Sequence, residues 1–303
     1  MEYVIGFVLF GLTVLFAAAV THHKEGWYVF SNADIEHPST RIDALLMLTK
    51  RGSKLLLAFP AALGAVAIGE DFHDFLFRHG VHQTIHHGAG YVAGFAVSLI
   101  LMNDFTFYWY HRALHSNKYL WELHKVHHSA ERMTGITTER THPIDDFMYY
   151  AFNGALSGLV YGAWLMVMVP PATITLFGVS VFMLVKIFSF GYLQHWHFKL
   201  SFGWFNRILV SPQYHHLHHS VDPVHYNSNY GTLLMVWDYM FGTVQHPKPN
   251  EDFQYGLQDD EAREYHSLRG AFLSPLVKIG RLIRQAWAGT KGGGHGAIDP
   301  RLT

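Results

Sequence analysis

Apolar residues run along this chain in long stretches, and each of the central stretches gives way to a polar segment rich in histidine. Tyr3 to Val20 carries no charge, with Thr13 its one side-chain hydroxyl besides Tyr3. About 20 apolar residues cross a bilayer, so this run predicts a first span. A signal peptide would need a basic leading region and a small-residue cleavage site, whereas His22, His23 and Lys24 follow Ala17 to Val20. Leu55 to Gly69 is shorter and holds Pro60, which predicts a kinked span or a re-entrant pair. Tyr91 to Met102 begins a third span that continues through Asn103 and Asp104 into Phe105 to Tyr110. Phe147 to Val169 and Ala172 to Tyr192 give a fourth and a fifth, and Pro170 and Pro171 between them force a tight antiparallel hairpin. The expected fold is an all-α integral membrane protein, with four to five transmembrane helices and a cytoplasmic helical cap carrying the histidines.

Composition supports a membrane protein and narrows the chemistry. Half of the 303 residues are hydrophobic and 15% are charged, more apolar side chain than one soluble core needs. The 22 Lys and Arg balance 23 Asp and Glu, which gives no argument for nucleic acid. There is no cysteine, so disulfides, thiolate zinc sites, Cys-ligated iron–sulfur clusters and Cys nucleophiles are excluded. The span topology puts all but Arg78 and Lys186 of the basic residues on the histidine side. Positive charge accumulates in the cytoplasm, so that side is expected to be cytoplasmic, with the N-terminus outside.

The histidines carry the chemical signal. His111 and His115 lie one helical turn apart; His124, His127 and His128 form HxxHH; His195 and His197 follow the fifth apolar run; and His215, His218 and His219 repeat HxxHH. Neutral imidazole is a common ligand for transition metals, and one ion takes four to six ligands, so nine or ten clustered histidines fit a dinuclear centre better than one ion. His79, His82, His86 and His87 also look metal-like, yet the topology sets them on the opposite face. His22, His23, His37, His246, His266 and His295 are read as solvated or locally satisfied, and His216 as spare. Beyond the last cluster, Phe272, Leu273, Leu276, Val277, Ile279, Leu282 and Ile283 recur at helical spacing among Lys278, Arg281 and Arg284. Such a helix suits a membrane surface or packing on the protein itself.

Asp104-Phe-Thr-Phe-Tyr-Trp-Tyr-His-Arg-Ala-Leu-His115, Trp121-Glu-Leu-His-Lys-Val-His-His128 and Ser211-Pro-Gln-Tyr-His-His-Leu-His-His-Ser220 resemble the histidine boxes of the fatty acid hydroxylase and sterol desaturase superfamily of integral membrane di-iron enzymes. Asn227-Ser-Asn-Tyr-Gly231 and Trp237-Asp-Tyr-Met-Phe-Gly-Thr243 are further matches. The resemblance covers roughly 91 to 243 and divides the chain into an N-terminal transmembrane region over 1–90, a catalytic domain over 91–245 and an amphipathic or flexible tail over 246–303. It implies that His111, His115, His124, His127, His128, His195, His215, His218 and His219 ligate two iron ions, with zinc as a substitute. His197 is a tenth candidate, at a position where family members alternate between histidine and asparagine. His142 and His225 are expected behind the ligands or on the substrate side, and Asp104, Asp145 and Asp238 either as acceptors that orient ligand imidazoles or as structural caps.

The chemistry that the resemblance implies is O2-dependent hydroxylation or desaturation of an unactivated C–H bond in a sterol, fatty acyl or related lipid. Phe105, Phe107, Trp109, Phe188, Phe190, Trp196 and Trp204 are candidate walls for the substrate. With no cysteine and no GxGxxG after a strand, electrons are expected from a separate ferredoxin, cytochrome or reductase. Two other classes accept the same ligands. A zinc hydrolase would place a carboxylate base beside a metal-bound water, as in HExxH, and no HExxH occurs. A metal transporter would hold its ligands near mid-membrane, whereas these lie at span ends.

Overall fold

The computed structural model describes residues 36–169, 175–176, 179–180, 191–197, 199–248 and 251–292. The predicted span from Tyr3 to Val20, the Pro170-Pro171 turn and most of Ala172 to Tyr192 lie outside them.

Three long helices carry the fold. α1 (Pro38–Arg78) starts where Pro38 supplies a helical φ and the His37 side chain accepts from the Ser39 N–H. It runs unbroken through Pro60, where a kink or a re-entrant turn was expected. The lost hydrogen bond at Pro60 is offset by close packing along α4 (Pro143–Leu165). Ala61, Ala65 and Gly69 on α1 face Gly154, Gly158 and Gly162 on α4, each set spaced by four. A Cβ on Gly158 would stand 2.5 Å from the Ala65 carbonyl oxygen, so the two backbones are in direct contact. Small residues at this spacing are how helices associate where lipid removes any hydrophobic drive between them.

α2 (Ala89–Ser116) returns beside α4, with Phe95, Ala96 and Met168 packed between them. Among the described residues it is the one helix long and apolar enough to cross a membrane. At about 1.5 Å per residue its 28 residues extend about 42 Å, which holds the 79–88 segment far from the histidines at its other end. That segment bonds instead to the end of α4, Thr84 N–H to the Met166 carbonyl and His86 N–H to that of Val167.

Asn117 ends α2 and starts α3 (Lys118–His128), its side chain accepting from the N–H groups of Tyr119 and Leu120. A core of Ile42, Leu46, Trp121, Val126, Leu257, Ala262, Tyr265 and Ala271 joins the start of α1, α3 and the C-terminal segment. Short elements follow, one turn, α5 (Gly191–Gln194), then α6 (Pro212–His218) and α7 (Val236–Phe241), before the long C-terminal α8 (Leu268–Gly292). α8 packs on the protein through Ala271, which enters the core, while Leu273, Leu276, Val277, Ile283 and Trp287 stay exposed.

The chain is thus helical among the described residues, apart from a two-residue antiparallel pair, β1 (Thr175–Leu176) and β2 (Val179–Ser180). This pair falls inside the stretch expected to be the fifth span. β-branched residues there, Thr173 to Thr175 and Val179 to Val181 around Gly178, favour strand over helix.

Candidate metal centre

The histidines of the separate boxes converge in the polar end of the bundle. His111, His115, His124, His128 and His218 form one group and His127, His195, His215 and His219 a second. Within each group one ring nitrogen per residue lies within 4.8 Å of the others, and all nine side chains are buried. Each HxxHH is split between the groups. On a helix, adjacent residues point about 100° apart, so His127 and His128 face different sides, and His218 separates from His215 and His219 by the same geometry. The two groups touch, the rings of His128 and His219 stacking at 4.4 Å and those of His127 and His128 meeting edge to face at 5.6 Å.

Hydrogen bonds fix which nitrogen of each ring faces inward. Carbonyl and carboxylate oxygens only accept, so a ring nitrogen facing one must carry the proton. Nδ1 of His111 donates to the Tyr230 carbonyl at 2.8 Å, Nδ1 of His218 to that of Ser228 at 2.8 Å, and Nδ1 of His127 to that of Arg140 at 3.2 Å. Nδ1 of His124 donates to Asp145 at 3.3 Å. With the proton on Nδ1, the neutral form of each of these rings leaves Nε2 as a bare lone pair. Yet Nε2 of His111 and His124 face each other at 3.1 Å, where two lone pairs repel and neither can donate. In the second group Nε2 of His195 lies 3.1 Å from that of His127 and 2.9 Å from that of His215. Nε2 of His128 and of His218, both buried, have no hydrogen-bond partner. Two nitrogens bound to one ion at about 2.1 Å and a right angle stand about 3 Å apart, so the donor set fits metal ions.

Burial has prepared the rings for this. Desolvation, and then the neighbouring imidazoles, hold His127, His128, His215 and His219 well below the ordinary histidine range, and burial takes His218 down to about 3. They stay neutral at physiological pH and offer lone pairs without first losing a proton.

The surrounding polar residues divide by role. Asp145 contacts a ring directly. Asp104 instead accepts from the N–H groups of Leu233 and Leu234 and the Trp237 indole. Asp238 accepts from the N–H groups of Tyr230 and Gly231, both at 2.8 Å, and from the Thr243 hydroxyl. These two carboxylates clamp the backbone, not an imidazole. Asp104 holds the 233–234 segment, and Asp238 holds the end of loop 227–231, which turns through left-handed Asn227 and Asn229 and supplies the Ser228 and Tyr230 carbonyls. Its orienting role was not read from the sequence; the Asn-Ser-Asn-Tyr-Gly motif, with residues that tolerate positive φ, was the available signal.

Three candidates lie outside both groups. His197 belongs to neither. His142 starts α4, accepting from the Ile144 N–H and donating to the Phe272 carbonyl of α8. His225 pairs with the Ser220 hydroxyl and lies 3.5 Å from Glu251. His216, read as spare, is buried and bridges the Trp196 carbonyl and the Tyr255 hydroxyl.

A cavity of about 210 Å³ opens on both groups, reaching His111 and His124 of the first and His127, His195 and His215 of the second. Of the expected aromatic walls, Phe107 lines it; Phe105 and Trp109 pack against Trp237 and Phe241 instead. Phe188 and Phe190 lie outside the described residues. Leu114, Tyr110, Tyr149 and Tyr150 complete the wall.

The sequence model described as fatty acid hydroxylase matches residues 96–243, which spans every residue of both imidazole groups. Residues 96–243 are thus similar to the fatty acid hydroxylase family. Over 165 residues the chain is 28% identical to an alkylglycerol monooxygenase of Caenorhabditis elegans, covering 54% of this chain and 29% of that protein. It is 29% identical to an ornithine lipid hydroxylase of Rhizobium tropici, covering 55% and 46%, and 34% identical to an alkylglycerol monooxygenase of Xenopus tropicalis, covering 51% and 31%. The match thus spans less than half the length of each of these relatives. No solved structure matches. In fatty acid hydroxylase terms, α2 and α3 carry the first two boxes and α6 the last.

Proposed function

We propose that this chain is an oxygen-dependent lipid oxidoreductase with a pair of iron ions held by the two imidazole groups. The observation that carries the reading is the convergence of nine buried histidines into two touching groups, five of whose rings line one cavity. Zinc accepts the same donors and is the substitute metal. When bound, the metal pair supplies the oxidising power for attack on an unactivated C–H bond, which no side chain provides. The protein's own part is orientation and exclusion of water. The Tyr230, Ser228 and Arg140 carbonyls and Asp145 lock the ring tautomers, while Phe107, Leu114 and Tyr149 shape an apolar side to the cavity.

Two observations support a membrane lipid as substrate. Leu63 and Val66 of α1, Val97 and Leu101 of α2 and Phe147, Phe152 and Leu159 of α4 present apolar side chains outward, as helices facing lipid do. The relatives are named for lipids: alkylglycerols, an ornithine lipid and, in Dictyostelium discoideum, methylsterols. We read four to five spans, residues 91–245 as the catalytic domain and the histidine end as cytoplasmic, where a separate ferredoxin, cytochrome or reductase delivers electrons.

The test is the lipid profile of cells with and without this gene, grown under 18O-labelled dioxygen. A lipid that gains labelled oxygen or a double bond, in dioxygen only, is expected. An unchanged profile from fully metal-loaded protein overturns the reading.

A further inference from the structure

The cavity has a second pole that the metal chemistry does not use. Across from the imidazoles, Lys50 Nζ donates to the Thr141 hydroxyl at 2.9 Å and lies 3.2 Å from Asp146 and 3.5 Å from Glu139. The Thr141 hydroxyl itself lies 3.0 Å from one Asp146 oxygen. All four residues line the cavity, and the side chains of Lys50, Glu139 and Asp146 are only 12%, 5% and 14% exposed. Burying such groups beside an apolar wall costs free energy unless they are paired, and buried ionisable residues in membrane proteins mark substrate paths.

We infer that this cluster is the head-group site of the lipid substrate, that it takes a hydroxyl- or ammonium-bearing head, and that the oxidised C–H lies a few bonds from that head. The word oxidised rests on the oxygenase reading; the head-group site does not.

The charge inventory selects the head. Among the described residues, Lys50 is the one Lys or Arg lining the cavity, against the carboxylates of Glu139, Asp145 and Asp146. Its three N–H donors already face three oxygens, of Thr141, Asp146 and Glu139. What the pole offers an incoming group is therefore carboxylate acceptors and net negative charge. Asp145 and Asp146 sit in the first turn of α4. Hydroxyls and ammonium groups satisfy such acceptors; a free carboxylate or phosphate is repelled, and this repulsion sets specificity.

Size and connectivity set the reach. A compact cavity of this volume is roughly 7 Å across, and an extended hydrocarbon advances about 1.3 Å per bond, so about five bonds separate a head at Lys50 from a carbon at the imidazoles. The protein spans the same gap with one peptide unit: Asp145 touches His124 and Asp146 touches Lys50.

The test uses three probes with one chain and different heads: 1-O-dodecylglycerol, dodecylamine and dodecanoate. Their binding to the full-length, zinc-loaded protein in detergent is read by tryptophan fluorescence, without turnover. Glycerol and amine heads are expected to bind at least 10-fold tighter than the carboxylate, and Glu139→Gln to shrink the amine preference at least 5-fold while 1-O-dodecylglycerol still binds. Equal binding of all three probes by the unaltered protein, or a carboxylate preference, overturns the head-group site whatever the variant does. In turnover with iron, mass spectrometry of the 1-O-dodecylglycerol product should place the change within about five bonds of the head; oxidation at the far end of the chain overturns the reach. Head selectivity without any oxidation under dioxygen would instead overturn the oxygenase reading and leave the head-group site standing.

Discussion

Asp145 holds Nδ1 of His124 at 3.3 Å, a contact in which a carboxylate orients a ring of the first imidazole group. The Tyr110 hydroxyl, donating to the same carboxylate at 2.6 Å, keeps it in place. Outer partners of this kind typically contribute about 10- to 100-fold to metal affinity. Asp145→Asn should therefore weaken metal binding by about that factor, measured by competition with a chromophoric chelator. Unchanged affinity would reduce Asp145 to a helix-start residue.

Arg140 ties the scaffold to the second group. Its guanidinium reaches Asp43 at 2.7 Å and the Val126 carbonyl at 2.8 Å, while its own carbonyl accepts from His127. Arg140→Met leaves Asp43 buried and unpaired, which costs about 3–5 kcal/mol. Thermal unfolding of the metal-free protein should show the loss, and adding Asp43→Asn should recover part of it.

The contact between α1 and α4 makes its own prediction. A Cβ at Gly162 would stand 2.3 Å from the Gly69 carbonyl oxygen, with backbone on both sides and no side chain able to yield. Gly162→Leu must push the helices apart and should lower the folded yield sharply, whereas Gly64→Leu, with open space at its Cβ, should not. Size-exclusion recovery of the two variants distinguishes them.

Acid should unfold the metal-free protein through its buried histidines. His216 and His218 sit near 3 in the fold because burial disfavours their charged form, against about 6.5 in the unfolded chain. Protons bind the unfolded chain first, so stability is full above about pH 6.5 and falls as pH drops toward 3, by up to about 1.4 kcal/mol per pH unit for each such histidine. Unfolding midpoints measured from pH 8 to 4 should be flat and then steep. A profile flat through pH 5 would contradict the buried neutral rings.

Some of this was legible in the chain because it is local. The apolar run that reaches His111, interrupted by Asn103 and Asp104, marks α2, and the spacings of three and four put histidines on shared helix faces. The split of each HxxHH between two groups follows from the same 100° step. What escaped depends on distant pairs. The continuity of α1 through Pro60 relies on glycines of α4 about 90 residues away, Lys50 meets Thr141 at a separation of 91, and Tyr230 orients His111 from 119 residues on. Asp104 and Asp238 looked like imidazole partners because acidic residues near histidine boxes have that option; only the folded loop shows that they hold backbone N–H groups.

The central claim is that two touching imidazole groups hold two metal ions, and counting metal per chain tests it most directly. Protein purified anaerobically from iron-supplemented cells should carry two irons per chain. His128→Ala, in the first group, and His219→Ala, in the second, should each bring the count to about one or lower while the protein remains folded. One iron per chain in the unaltered protein, or full loading in both variants, would contradict the account.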